Sequence, residues 1–331
     1  LPKEVYAFEY VAATLPNVPG RNRRYRQEGL DVKAIDALLE DHARTRPQQP
    51  LCLILADNCP HVVWEKNRLY DPARLPVPPI AADTPATRTA LANYYQEITS
   101  ADEHFGAVLA SLEKHGFAEN ALTIYTSDQG PEWPRSKWTC YDAGLKVPFV
   151  ARWPGKIKPG SVTSAMISFV DVASTLIEIA GGQPPAGLDG SSFLGVLTGQ
   201  QKVFRQELYA SHSGDGTMNM FPQRCVRDTR YKYILNLHPE RKWTTHFTLV
   251  DGIPESHLEV YRTWTEKAKT DPATARLIAQ LETHPREELY DTHADPHELQ
   301  NLAGHPKHRA TLERLRARMT AMRQQLADPE E

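Results

Sequence analysis

Long apolar runs are missing from this chain of 331 residues. The longest, Leu51–Ala56 and Val147–Ala151, are strand length, far short of the roughly 20 residues a membrane-crossing helix needs. Cysteine is scarce: Cys52, Cys59, Cys140 and Cys225 make no CxxC pair and no zinc-ligand spacing. Four cysteines in a chain of this size neither demand nor exclude a disulfide. There is no charge excess either, with 38 Lys and Arg against 41 Asp and Glu and a net charge of −3. A basic excess is the footprint of a nucleic-acid binder, so that class is disfavoured. An anionic substrate would have to be held by a few placed cations, not by the global field. No GxSxG elbow, P-loop or dinucleotide fingerprint occurs, which argues against the usual Ser hydrolases and nucleotide binders. The chain opens Leu1-Pro2-Lys3-Glu4, neither an initiator Met nor a signal peptide, and any targeting segment is expected upstream.

What is present is an alternation of helix and strand patterns. A loop over residues 14–29 carries Arg21, Arg23, Arg24 and Arg26, which read as a solvated stretch or an anion-binding patch. Asp31 opens a helix with Val32, Ile35, Leu38 and Leu39 on one face. Leu51–Ala56 reads as a strand buried on both faces, followed by a proline-rich extended loop over 70–85. A long helix is expected from Thr84 to about His115, with Gly116 as its C-terminal cap. Ala121–Ser127 and Lys146–Arg152 read as further strands and Val170–Ala180 as a helix. This alternation predicts an α/β sheet with parallel strands. After about residue 204 the texture changes to short strands, Leu208–Ser211, Gln223–Arg227 and Tyr231–Leu237, suited to an antiparallel sheet. Helical stretches follow at 255–283 and at Pro306–Leu326, the latter with Leu312, Leu315, Met319, Met322 and Leu326 on one face. Two domains are therefore expected, 1–203 with the α/β sheet and 204–331 as a smaller α+β unit.

Ligand sites in parallel α/β sheets lie beyond the carboxyl ends of strands. Two polar clusters occupy such places: Asp57-Asn58-Cys59-Pro60-His61 and Ser127-Asp128-Gln129-Gly130. Carboxylate and amide oxygens suit calcium or magnesium, although an Asp closing a strand equally suits a turn or helix cap. His61 has the chemistry of a general acid or anion ligand, or of a surface imidazole. Lys137 could bind an anionic oxygen or be merely solvated.

Taken together, these clusters resemble the sulfatase family of the alkaline-phosphatase superfamily. Residues 122–160, LTIYTSDQGPEWPRSKWTCYDAGLKVPFVARWPGKIKPG, resemble that family's TSDNG stretch with its downstream Lys and Pro-Gly. Asp171 with Thr175 and Leu176 resembles its D-x-x-P-T-L helix, and Leu188-Asp189-Gly190-Ser191-Ser192 the turn that follows. Glu288-Leu289-Tyr290-Asp291, Asp295-Pro296-His297-Glu298 and Asn301-Leu302-Ala303 resemble its C-terminal signature. Asn58-Cys59-Pro60-His61 resembles its xxPH loop. Ser211-His212, Phe221-Pro222 and Arg230-Tyr231-Lys232-Tyr233 are similar to the heparan N-sulfatase (sulfamidase) branch and its bacterial relatives.

The resemblance implies an alkaline-phosphatase-like sheet sandwiched by helices, with a smaller C-terminal α+β domain. It implies Asp128 and Gln129 as ligands of a divalent metal, usually calcium, with magnesium as the alternative. Gln129 stands where the family more often has Asn or His. Lys137 would contact the sulfate oxygens and His61 would assist the leaving group. His212 and Arg224 are expected to line the substrate rim. The implied substrate is a sulfated saccharide, the location periplasmic or secreted, and homo-oligomerisation is left open. The family's nucleophile is a formylglycine made from the Cys of C-x-P-S-R, whose hydrate attacks sulfur to give a sulfated enzyme intermediate. None of the four cysteines has that context, and the family's paired aspartates and Lys-x-His segment are not found either. The nucleophile is therefore expected in an upstream segment of about 100–130 residues, the size of a small domain. The rival readings are a phosphatase or phosphonate monoester hydrolase of the same superfamily, and a sulfoglycan-binding protein without turnover.

Overall fold

The computed structural model describes Glu9 and residues 30–62, 64–214, 219–249 and 257–328. The arginine-bearing loop expected at 14–29 lies outside them. The chain forms two compact units, one from residues 1–75 and 88–121, the other from 76–87 and 122–331.

In the first unit, helix α1 spans Val32–Thr45 and is capped by Asp31, whose carboxylate accepts the Ala34 N–H. Its apolar stripe, Ile35 and Leu39, packs on Val108 of the long helix α2, Pro85–Lys114. Gly116 (φ +81°) ends that helix, with the Phe117 N–H reaching back to Leu112 O. Asp36 of α1 accepts hydrogen bonds from Lys114, Ser111 and His115. Those bonds, Lys114's foremost, hold its carboxyl down at about 2.

Residues 51–56 are a correction to the sequence reading. They form no strand pairing, and Leu51 and Ile54 are 40% and 70% exposed. Only Leu53 and Leu55 turn onto the α1–α2 cluster. A continuous apolar run is ambiguous, and here only its alternate residues meet a core. The segment that follows is held by side chains instead of a ladder. Glu97, Asn93 and Gln96, on one face of α2, accept the backbone N–H groups of Glu65, Asn67 and Arg68.

The second unit contains two sheets. Strands β1 (Thr123–Thr126) and β2 (Phe149–Arg152) pair antiparallel, Thr123 opposite Arg152. Between them lies the short helix α3, Asp142–Leu145. The expectation of parallel strands is not met among the described residues. Instead of a crossover helix, the β1–β2 connection turns back on itself, with the Gly130 N–H bonded to Gly144 O. Helices α4 (Val170–Ile179) and α5 (Leu194–Leu197) follow. Asp171 near the start of α4 is fully buried and accepts the N–H groups of Ser168 and Ser191, besides pairing with Arg205. A Cβ on Gly190 of the Leu-Asp-Gly turn would sit 1.8 Å from Val170 O, which explains a glycine there.

Strands β3 (Glu207–His212), β4 (Gln223–Asp228), β5 (Tyr231–Asn236) and β6 (Glu287–Asp291) form an antiparallel sheet in that order. Helices α6 (His246–Leu249), α7 (His257–Ala268) and α8 (Pro272–Glu282) lie between β5 and β6 in the chain. The final helix α9, Arg309–Gln325, lays Leu312, Leu315 and Met319 on one sheet face, against Val226, Tyr233, Leu235 and Leu289. Leu326, expected on that stripe, lies beyond the helix and is 48% exposed. The other face packs Cys225, Ile234 and Tyr290 on Cys140, Tyr141, Phe221 and Trp243. Alternation along the strands therefore serves two cores, one per face.

A domain boundary at 203/204 falls inside this unit. The β1–β2 connection docks on the four-stranded sheet: Gln223 Oε1 accepts the Cys140 N–H at 3.0 Å, and Arg227 holds Asp142 with two bonds of 2.9 and 2.8 Å. All four cysteines are free.

Candidate functional site

The carboxyl end of β1 runs into Ser127-Asp128-Gln129-Gly130 and then a tightly built loop. Asp128 is exposed and Gln129 half-buried. Among the described residues, neither the Asp128 carboxylate nor the Gln129 side-chain amide has a hydrogen-bond or ion-pair partner. Two hard oxygen donors left without protein partners at a strand end fit a share of a calcium or magnesium shell. Gly130 is required sterically, because a Cβ there would lie 1.8 Å from Ala143 O. That contact closes the loop over residues 130–144.

Lys137 is not the solvated lysine that sequence alone left open. Its side chain is only 11% exposed, with Nζ 3.6 Å from Glu132 Oε2 and 4.5 Å from the centre of the Trp138 ring. The neighbouring Arg135 and Trp138 have φ of +60° and +66°, a costly conformation for non-glycine residues that tight tertiary contacts must impose. Arg135 supplies part of that constraint. Its buried guanidinium donates to Glu298 O at 2.5 Å and lies 3.9 Å over the Tyr141 ring. Tyr141 in turn donates to Glu288 at 2.7 Å. Burial works against ionisation of Glu288. Hydrogen bonds from His284 and Tyr290 and the Arg135 charge overcome it and hold the carboxyl at about 2.

A second anchor lies just downstream. The Asp142 N–H donates to Glu298 Oε2, and the fully buried Lys232 sits 2.5 Å from Asp142 Oδ1 and 2.8 Å from Glu298 Oε1. These are ion-pair contacts whose angles miss hydrogen-bond geometry, so the attraction is mainly coulombic. The ELYD and DPHE motifs of the sequence thus act as the clamp that fixes the Lys137 loop.

His212, at the end of β3, is half-buried and donates from Nε2 to Asn219 O at 2.8 Å. Asn219 is hydrogen-bonded to His246 at 3.0 Å, and His246 stacks on Trp138 with centroids 4.3 Å apart and planes 5° from parallel. His212 is thereby linked through Asn219, His246 and Trp138 to Lys137. The sequence reading missed those three connecting residues; no short motif marks them, because the contact is made only when α6 folds under the loop.

Arg224, expected on a substrate rim, is turned inward. It is 3% exposed, and its guanidinium makes a paired contact with Asp328 at 2.7 and 2.8 Å and donates to His212 O and Gln223 O. Across the ladder Arg224 stands opposite Leu235.

His61 is in the first unit, exposed, on the loop whose turn is set by Asp57 Oδ1 accepting the Cys59 N–H. Its Nδ1 lies 2.6 Å from Val62 O. A carbonyl can only accept, so Nδ1 carries a proton in that contact.

The sulfatase family model matches residues 6–182, more than half of the chain. This chain belongs to the sulfatase family. The model of the C-terminal region of N-sulphoglucosamine sulphohydrolase matches residues 133–251 of this family member. An ulvan-active sulfatase of Formosa agariphila is 32% identical over 273 residues, covering 81% of the chain and 51% of the relative. Human N-sulphoglucosamine sulphohydrolase is 25% identical over 370 aligned positions, covering 99% and 70%. The solved phosphonate monoester hydrolase of Silicibacter pomeroyi superposes with a TM-score of 0.60 at 22% identity, over 98% of the chain and 67% of its own, and so shares the fold. The chain spans about half the length, or less, of several curated relatives it matches. Among the described residues no helix is long and apolar enough to cross a membrane.

Proposed function

We propose that this chain is the metal- and sulfate-binding part of a sulfatase that cleaves sulfate esters or sulfamates on a saccharide. The observations that carry the reading are the partner-free oxygens of Asp128 and Gln129 just after β1 and, on the loop that follows, Lys137, a nearly buried cation. The names of the relatives, an ulvan-active sulfatase and an N-sulphoglucosamine sulphohydrolase, support a sulfated carbohydrate as substrate. A periplasmic or secreted location is part of the same proposal.

Each residue has a definable task. Lys137 meets the negative charge on the sulfuryl oxygens as the bond to the leaving group breaks, in a setting where partial burial strengthens the attraction. His61 is the proposed donor to the departing oxygen or nitrogen, and its Nδ1–H bond to Val62 O fixes the ring. Asp128 and Gln129 would hold a divalent cation, calcium by their donor type or magnesium, which supplies Lewis-acid neutralisation of sulfuryl charge when bound. His212 lines the saccharide side of the site. The cysteines of this chain do not fit the formylglycine nucleophile. Cys140 and Cys225 are buried, and burial raises both thiols, Cys225 to about 12. A formylglycine would have to come from sequence outside these 331 residues.

The test is sulfate release from sulfated oligosaccharides by the complete polypeptide. Lys137→Met should lower turnover by about 100-fold or more, the scale of losing one oxyanion-stabilising group. Faster turnover of a phosphonate monoester than of any sulfate would favour the hydrolase that shares the fold. Binding of sulfated glycan with no release would favour a non-catalytic binder.

A further inference from the structure

The loop that bears His61 also carries metal-type donors that the proposed hydrolysis does not use. In the first unit, Asp57, Cys59 and His104 each bring one ligand atom to a common point, all within 4.8 Å of one another. Asp57 is the hinge of the set. Its Oδ2 lies 2.7 Å from His104 Nδ1, and its Oδ1 accepts the Cys59 N–H at 3.0 Å. His104 stands on α2, so the three ligands join two separate segments.

Chemistry and field both select a cation. Thiol, imidazole and carboxylate together suit a borderline-soft first-row ion of the zinc class better than calcium or magnesium. The Cys59 thiol has Glu97 and Asp57 as its neighbours. Both of those neighbours are carboxylates, and Glu97 is only 1% exposed, so the thiol sits in a negative surrounding that a divalent ion would relieve. The Asp57 and His104 side chains keep 20% and 27% of their surface, which leaves a way in.

We propose that Asp57, Cys59 and His104 bind a zinc-class divalent cation that ties the His61 loop to α2. Tetrahedral zinc holds nitrogen and oxygen ligands about 3.3 Å apart, so the Asp57–His104 pair would open by roughly 0.6 Å. On binding, the Cys59 thiol loses its proton to solvent and His104 ligates through Nδ1, its ring proton carried on Nε2. Solvent fills the remaining position. The site contains sulfur and so differs in donor type from the oxygen-donor site at Asp128 and Gln129.

The experiment is titration of the full chain with Co2+, followed by displacement with Zn2+. One equivalent of cobalt should give thiolate-to-metal absorption in the near ultraviolet, bleached by zinc, and zinc should raise the melting temperature. Cys59→Ser should abolish the absorption, and His104→Gln should weaken zinc binding by roughly 100-fold, as expected for loss of a direct ligand. Cys52→Ser and Asp128→Asn should keep the absorption. Circular dichroism of the metal-free variants checks that they fold, and His104→Gln, at a partly exposed side chain, decides the matter if Cys59→Ser does not. Cobalt binding without a thiolate band, a band that survives Cys59→Ser, or one that disappears in Cys52→Ser would overturn the proposal.

Discussion

Replacing Lys232 by methionine should destabilise the second unit by about 3–5 kcal/mol, the cost of removing one partner from a buried ion pair. Lys232 has no exposed surface and stands between Asp142 and Glu298, at 2.5 and 2.8 Å. Methionine keeps most of the side-chain volume, so the cavity contribution is small and the loss is electrostatic. Asp142 retains its paired contact with Arg227, but Glu298, 1% exposed, loses its countercharge. At about 2–4 °C per kcal/mol for a unit of this size, the melting temperature should fall by roughly 10 °C. Burial already raises the Glu298 carboxyl above its ordinary value, against the pull of Lys232. A group whose folded pKa is raised takes up protons in the folded state as pH falls, so folding is favoured toward acid. The deficit of Lys232→Met relative to wild type should therefore shrink between pH 7 and pH 5. Adding Glu298→Gln should recover part of the loss, because the unpaired charge is then removed. Urea unfolding of the wild type, both single variants and the double variant closes the cycle. A Lys232→Met protein within 1 kcal/mol of wild type at pH 7, or a double variant weaker than the sum of the singles, would refute the clamp described above.

Other expectations rest on separate contacts. Gly130→Ala places a methyl 1.8 Å from Ala143 O, and should cost about 3 kcal/mol or more, measured by denaturant unfolding, and displace the Lys137 loop. Glu288 titrates near 2 when folded against an ordinary 4.5, so its contribution is complete above about pH 4.5 and is lost as pH falls through 2. That shift corresponds to about 3 kcal/mol, and Glu288→Gln should flatten the acid limb of the stability profile between pH 5 and pH 2. Asp31→Ala removes the N-cap of α1 and should cost about 1 kcal/mol of first-unit stability in a urea melt.

Local features of the chain were legible because they are written in short-range chemistry. The cap at Asp31, the α2 helix, the strands β3, β4 and β5, and the α9 stripe follow from periodicity and capping residues within a few positions. Strand β6 was not read as a strand, because Glu287 and Glu288 look like surface residues until Glu288 is seen among Tyr141, His284 and Tyr290. Residues 51–56 misled for the opposite reason: hydrophobicity reports a preference for burial but not which faces find a core.

Within the candidate site, residue type alone pointed to oxygen donors after β1 and a cation beyond them, but left a turn, a helix cap or a solvated lysine equally open. It was not enough to distinguish Lys137 from Arg224. One is a nearly buried lysine held in a loop of left-handed residues, and the other is an arginine whose donors are used inside the protein. That difference depends on partners far away in the chain: Asp328 for Arg224, and Glu298, Lys232 and His246 for the loop. The sequence alone determined which groups could carry charge, coordinate a metal or cap a helix. Only the tertiary structure decided which of those groups are buried and what each one pairs with, because those partners come from far away in the chain.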